Sequence, residues 1–171
     1  MEKGKYFINF ASVMATEIEH KYLVNNDCYR QQAIVRHHIM QGFLCRQPQR
    51  TVRVRVVDDK QGYLTVKGKT KDASRQEFEY PIPIDDARQL LAMCEPCLID
   101  KTRHIVMHDG NRWEVDEFHG NLEGLVLAEL EIPSSDYSYT LPSFVGQDVT
   151  DDPRYYNACL ATMSSLSDMQ E

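Results

Sequence analysis

Thr51-Val52-Arg53-Val54-Arg55-Val56-Val57 places apolar side chains at its even positions and two arginines at odd ones. A period of two is that of a β-strand, whose successive side chains leave opposite faces. The segment reads as a strand with one apolar and one cationic face. The same alternation recurs at Glu17-Ile18-Glu19-His20-Lys21-Tyr22-Leu23-Val24 and at 63–69, 75–80, 101–106, 112–118 and 127–132. With 38–45 added there are eight candidate strands. Turn signals separate them at Asp58-Asp59-Lys60-Gln61-Gly62, Asp109-Gly110-Asn111 and Gly120-Asn121. Helical patterns are few: 85–93, with Asp85 and Asp86 in its first turn, 28–35, and a C-terminal helix over 154–166 behind Pro153. Many short strands without βαβ alternation predict a mainly β (α+β) chain, antiparallel, closed as a barrel or stacked as a sandwich.

The charged faces form two matched sets. The cations are Lys21, Arg53, Arg55, Lys67, Lys69, Arg75, Lys101 and Arg103; the anions are Glu17, Glu19, Glu77, Glu79, Glu114, Asp116, Glu129 and Glu131. A solvated sheet face explains one such strand. Seven strands carrying dense charge of both signs fit better as the lining of a barrel interior. Charges there are costly unless paired or neutralised by counter-ions. The cations suit a multiply charged anion. The surplus carboxylates suit a hard divalent cation such as Mg²⁺ or Mn²⁺, which takes oxygen ligands. An anion and a metal in one enclosed site is the chemistry of polyphosphates.

Composition narrows the class. A chain of 171 residues is one domain of ordinary size, able to bury roughly 68–70% of its unfolded surface. It is 42% hydrophobic and 26% charged, with net charge -7 and a pI near 5.4. These values speak against membrane-spanning segments and against indiscriminate nucleic-acid binding. Five cysteines at scattered spacing indicate no disulfide framework and a reducing cytoplasm. Cys94-Glu95-Pro96-Cys97 lacks the second ligand pair or βαβ context that a zinc or redox motif needs. Residues 1–13 read as an N-terminal extension, with Met14 as an alternative start. Their apolar stretch, broken by Asn9 and Ser12, is a poor signal peptide.

Glu17-Ile18-Glu19-His20-Lys21 resembles the ExExK signature of the CYTH superfamily, the triphosphate tunnel metalloenzymes. Further stretches follow in that family's order: Gln41-Gly42-Phe43-Leu44, Val52-Arg53-Val54-Arg55, Leu64-Thr65-Val66-Lys67-Gly68, Arg75-Gln76-Glu77-Phe78-Glu79-Tyr80, Lys101-Thr102-Arg103, Trp113-Glu114-Val115-Asp116-Glu117-Phe118, Glu129-Leu130-Glu131 and Asp148-Val149-Thr150. The resemblance covers residues 14–162 and leaves 163–171 as a tail. Two positions depart from it, His20 for Arg and Asp148 for Glu. Family sequences often begin two or three residues before the first signature Glu, in keeping with Met14.

The resemblance implies an eight-stranded antiparallel β-barrel tunnel that holds a triphosphate lengthwise, with a requirement for Mg²⁺ or Mn²⁺. Short bacterial-type chains of this form are most similar to inorganic triphosphatases. On that basis Lys21, Arg53, Arg55, Lys67, Arg75, Lys101 and Arg103 are expected to hold phosphate oxygens. Glu17, Glu19, Asp116, Glu129 and Glu131 are expected to hold metal, with Lys21, Glu129 and Glu131 closest to the chemistry. Glu77, Glu79, Glu114 and Lys69 are supporting groups, and Trp113 is expected in the core. Two other functions use the same residues, a class IV-type adenylyl cyclase and a non-catalytic triphosphate binder. Neutralising Glu129 or Glu131 is expected to stop turnover with little effect on folding.

Overall fold

The computed structural model describes residues 18–47, 49–69, 76–94 and 97–170. Among these, nine strands form one antiparallel sheet: β1 (Ile18–Val24), β2 (Val35–Gln47), β3 (Arg50–Val57), β4 (Gln61–Gly68), β5 (Glu77–Ile82), β6 (Ile99–His108), β7 (Asn111–Phe118), β8 (Val126–Ile132) and β9 (Val145–Asp148). Their spatial order is β5-β4-β3-β2-β6-β7-β8-β1-β9. Glu79 and Asp148 come from opposite edges yet line one cavity, so the sheet curls round on itself like a tunnel.

The antiparallel tunnel architecture agrees with the sequence, with two corrections. A ninth strand, β9, pairs with β1 at Tyr22↔Asp148 and Val24↔Val145. Val145-Gly146-Gln147-Asp148 has no alternation, and main-chain pairing alone makes it a strand. Secondly, no ladder joins β5 to β9 among the described residues, so the barrel is not closed. Pro81 on β5 has no N–H to donate, which suits an edge strand. The residues expected as an N-terminal extension, 1–13, lie outside the described residues, as does Met14.

Hairpin turns form where the sequence places them. Asp58 and Asp59 (φ 52° and 54°) join β3 to β4; Asp109 and Gly110 (φ 46° and 79°) join β6 to β7. Asp and Gly are the residues that tolerate this left-handed backbone. Among the described residues three α-helices sit around the sheet: α1 (Tyr29–Gln32), α2 (Ile84–Leu91) and α3 (Asn157–Leu160). Helix α2 lies close on the outer face, where a Cβ on Gly62 would come within 2.6 Å of Ala87 Cβ, and it covers Val54 and Val56. The second apolar cluster, also on the outer face, gathers Tyr22, Tyr29, Val106, Trp113, Leu130 and Phe144. Trp113 is thus a core residue. The 28–35 helix is only one turn, because Val35 already pairs with Ile105 in the sheet.

The expected C-terminal helix over 154–166 is broken. A 3-10 turn (Pro153–Tyr155) precedes α3, and Tyr156 between them is extended (φ -74°, ψ 135°). That break lets Tyr156 and Asn157 face the cavity while Leu160, Ala161 and Met163 enter a third apolar cluster with Phe43, Ile99, Phe118 and Leu127. Leu166 and Met169 pack on the same cluster, so the expected tail is docked. The five cysteines are free, and the Cys94 thiol donates to the Leu90 carbonyl (3.3 Å). Among the described residues no helix is long and apolar enough to cross a membrane.

Candidate active site

Strand register carries the charges onto one concave face. Glu19 lies opposite Glu131, and Lys21 opposite Glu129. Glu129 in turn faces Glu114, and Asp116 faces Arg103. Across the other wall Thr65 lies between Arg53 and Glu79, and Lys67 between Thr51 and Glu77. The face encloses a cavity of about 780 Å³. Its depth is legible along β7: Arg112 is exposed, Glu114 half-buried, and Asp116 and Phe118 fully buried. The lining therefore runs inward to buried residues, where Asn157 and Ala158 of α3 also line the cavity.

Ion pairs run through the lining. Arg103 donates from Nε to Asp116 Oδ1 and from Nη2 to Asp116 Oδ2, both at 2.6 Å. The same guanidinium reaches Glu129 (3.1 Å) and pairs with Glu114. Lys101 donates to Asp116, and its ammonium lies 5.4 Å from the Phe118 ring centre. Lys21 donates to Glu129 and stands 4.0 Å from Glu19. On the opposite wall Arg53 donates to the Thr65 hydroxyl (3.1 Å) and to Glu79 (3.4 Å), and Lys67 pairs with Glu77 (2.8 Å).

Arg55 differs from these cations. Like that of Arg53, its Nε is buried without a hydrogen-bond partner, but Arg55 forms no ion pair among the described residues. Burial, with Arg53 and Arg103 beside it, pushes its pKa down to about 10. At Lys21 and Glu129 the paired charges prevail over burial. Burial opposes the charge on Lys21, yet Glu129 and Glu19 hold its pKa above the ordinary lysine value. Burial likewise opposes the charge on Glu129, and Lys21, Lys101 and Arg103 hold its carboxyl well below the usual range. Lys101 is pushed down to about 8 by burial, which Asp116 offsets only in part. Replacing Arg55 with Ala is expected to leave the melting temperature of the empty protein unchanged or higher, because like-charge crowding is relieved. Tripolyphosphate affinity, measured by calorimetry, should fall at least ~10-fold, in line with loss of a charged hydrogen bond.

Of the residues singled out in the sequence, Glu19, Lys21, Arg53, Arg55, Lys67, Glu77, Glu79, Arg103, Glu114, Glu129 and Glu131 line the cavity. Lys101 and Asp116 do not; both are 0% exposed and lie behind Arg103. Lys69 is exposed and off the cavity. Glu17 and Arg75 lie outside the described residues. Sequence reasoning passed over Arg112, Thr51 and Thr65, although their parity in the alternating strands places them on this face. It also passed over Asp151, Tyr156 and Asn157, which no pattern marked. Asn157 Oδ1 accepts from Gln41 Nε2 (3.2 Å) and Lys101 Nζ (3.5 Å), tying α3 to the floor.

The oxygen-only donors near Glu19 and Glu131 fit a hard divalent cation. These like charges face each other directly across the β1–β8 ladder, an arrangement that a cation between them would relieve. No group of three metal-binding side chains forms among the described residues, so these carboxylates alone would not complete a coordination sphere.

Comparison with known proteins places the chain among relatives. The CYTH domain family model matches residues 15–156. An inorganic triphosphatase of Acetivibrio thermocellus is 44% identical over 86% of this chain and 94% of its own length. One from Nitrosomonas europaea is 32% identical over 85% of this chain and 97% of its own length. The crystal structure of an inorganic triphosphatase, 32% identical, superposes with a TM-score of 0.63 over 86% of this chain and 95% of that one.

Proposed function

The chain belongs to the CYTH domain family, and from that premise we propose that it hydrolyses a phosphoanhydride bond of a triphosphate, inorganic tripolyphosphate first among them, with Mg²⁺ or Mn²⁺. The observation that carries this reading is Arg55, a half-buried side chain that forms no ion pair among the described residues, crowded by Arg53 and Arg103 in an enclosed cavity. Such a cluster is stabilised by a polyanion. Guanidinium forks match the paired oxygens of phosphate, and the site is organised before substrate arrives.

Phosphoryl transfer asks chiefly for positioning and charge stabilisation. Arg53 and Arg55 from one wall and Arg103 from the other would bind the chain of phosphates, with Lys67 beside Arg53. Lys21, clamped between Glu129 and Glu19, would present its ammonium to a phosphate oxygen near the bond that breaks. Glu19 and Glu131 would hold the divalent cation, with Glu17 as a further oxygen donor, while Glu129, whose two oxygens accept from Lys21 and Arg103, would position those cations. When bound, the cation would neutralise phosphate charge and make an attacking water more acidic. Asp116 is better assigned to orienting Lys101 and Arg103 than to holding metal, since both of its oxygens already accept from them. Lys101 correspondingly acts through Asp116.

A phosphate-release screen across tripolyphosphate, thiamine triphosphate and nucleoside triphosphates, with Mg²⁺, Mn²⁺ or chelator, tests the reading. Release from tripolyphosphate that chelator abolishes is the expected result. Cyclic AMP and pyrophosphate from ATP would establish a cyclase instead. Tripolyphosphate binding with no turnover under either metal would establish a binding module.

A further inference from the structure

Most cations of the lining are locked. The side chains of Lys21, Arg53, Lys67 and Arg103 are 6%, 11%, 10% and 10% exposed, and each is held by at least one carboxylate. Arg112 also lines the cavity, but its side chain is 55% exposed. It lies next to the β6–β7 turn, at the outer end of the strand whose inner end is buried Phe118. Its partner is Glu114, whose other oxygen is held by Arg103. Arg103 continues to Asp116, and Asp116 to Lys101. A chain of alternating charge thus runs from solvent to the cavity floor, and Arg112 is its outermost cation.

We propose that Arg112 is a substrate-capturing residue, which exchanges Glu114 for the outermost phosphate group of an incoming linear polyphosphate and hands the anion inward to Arg103. The proposal rests on the triphosphatase reading of the cavity and adds a specific residue to it. An exposed ion pair is worth little, so leaving Glu114 costs little. The phosphate offers the same fork geometry with more charge. Glu114 does not lose its only partner in the exchange, because Arg103 keeps hold of it. A mobile arginine at the mouth of a charged cavity also raises the rate of capture of an anion, an effect that salt screens.

The test uses full-length protein and tripolyphosphate in steady-state and calorimetric measurements. Arg112→Ala should raise KM and Kd about 5–20-fold, keep kcat within about 2-fold, and flatten the salt dependence of kcat/KM. Arg112→Lys should recover part of the affinity. The double variant Arg112→Ala with Glu114→Gln separates capture from mere neutralisation of Glu114. Under the proposal its affinity stays below that of Glu114→Gln alone; equal affinities in those two overturn it. Wild-type affinity and salt dependence in Arg112→Ala would overturn it too, and would leave the triphosphatase reading intact. Wild-type protein that binds tripolyphosphate without hydrolysing it would overturn the hydrolase reading, with the Arg112 comparison decided by Kd. Wild-type protein that does not bind tripolyphosphate would overturn both.

Discussion

Asp116→Asn is expected to destabilise the protein by about 3 kcal/mol, the lower end of the range for breaking a buried ion pair. For a chain of this size that lowers the melting temperature by roughly 10 °C. Asp116 is fully buried and answers two cations, Lys101 and Arg103. Its neutralisation leaves both charges inside with one carboxylate fewer. Adding Lys101→Met should restore much of the loss, since it removes one uncompensated charge and keeps an apolar stem against Phe118. The pH dependence has a definite sign. Burial raises the Asp116 pKa, but Arg103 and Lys101 outweigh it and hold the native value below the ordinary 3.8. Its stabilisation is full above the unfolded-state value and is lost as pH falls through the native one. The gap between wild type and Asp116→Asn, measured by urea unfolding, should therefore narrow on acidification. A gap that widens would contradict the assignment.

Glu131→Gln is expected to do the opposite, sparing the fold and removing the activity. Glu131 is exposed to the cavity and faces another carboxylate, Glu19, across the ladder. An exposed carboxylate that faces a like charge costs the fold little when it is neutralised. Turnover of tripolyphosphate should fall at least ~100-fold, the size of effect seen when one preorganised electrostatic group is lost. Glu19→Gln should behave alike. Wild-type turnover in both variants would dismiss the metal assignment. Glu129 falls between these cases, which corrects the expectation that its neutralisation would spare the fold. Its side chain is 5% exposed and holds both Lys21 and Arg103, so Glu129→Gln should cost stability as well as turnover.

Much of the site was legible before any coordinates. Alternation along 51–57 and its counterparts fixes which side chains share a face, because strand geometry leaves no other choice. That parity placed Arg53, Arg55 and Glu129 on the cavity, and followed further it would have added Arg112 and Thr51. The ordered motifs identified the family. Parity is silent on depth. Lys101 and Arg103 share a face, yet Lys101 is sealed at the floor and Arg103 lines the cavity.

Local sequence thus decided the strands, their turns and the two-sided charge pattern, since backbone geometry and side-chain type act within a few residues. Tertiary structure alone decided the pairing of β9 with β1, the unjoined edges β5 and β9, and the broken C-terminal helix that brings Asn157 to the floor. It also decided which charges are spent on one another and which remain for a ligand. Arg53 and Arg55 are two residues apart and identical in type. Arg53 reaches Thr65 and Glu79 and is a paired wall residue, while Arg55 forms no ion pair among the described residues. Such pairings depend on strands far apart in the chain, and electrostatic energy follows separation in space rather than in sequence.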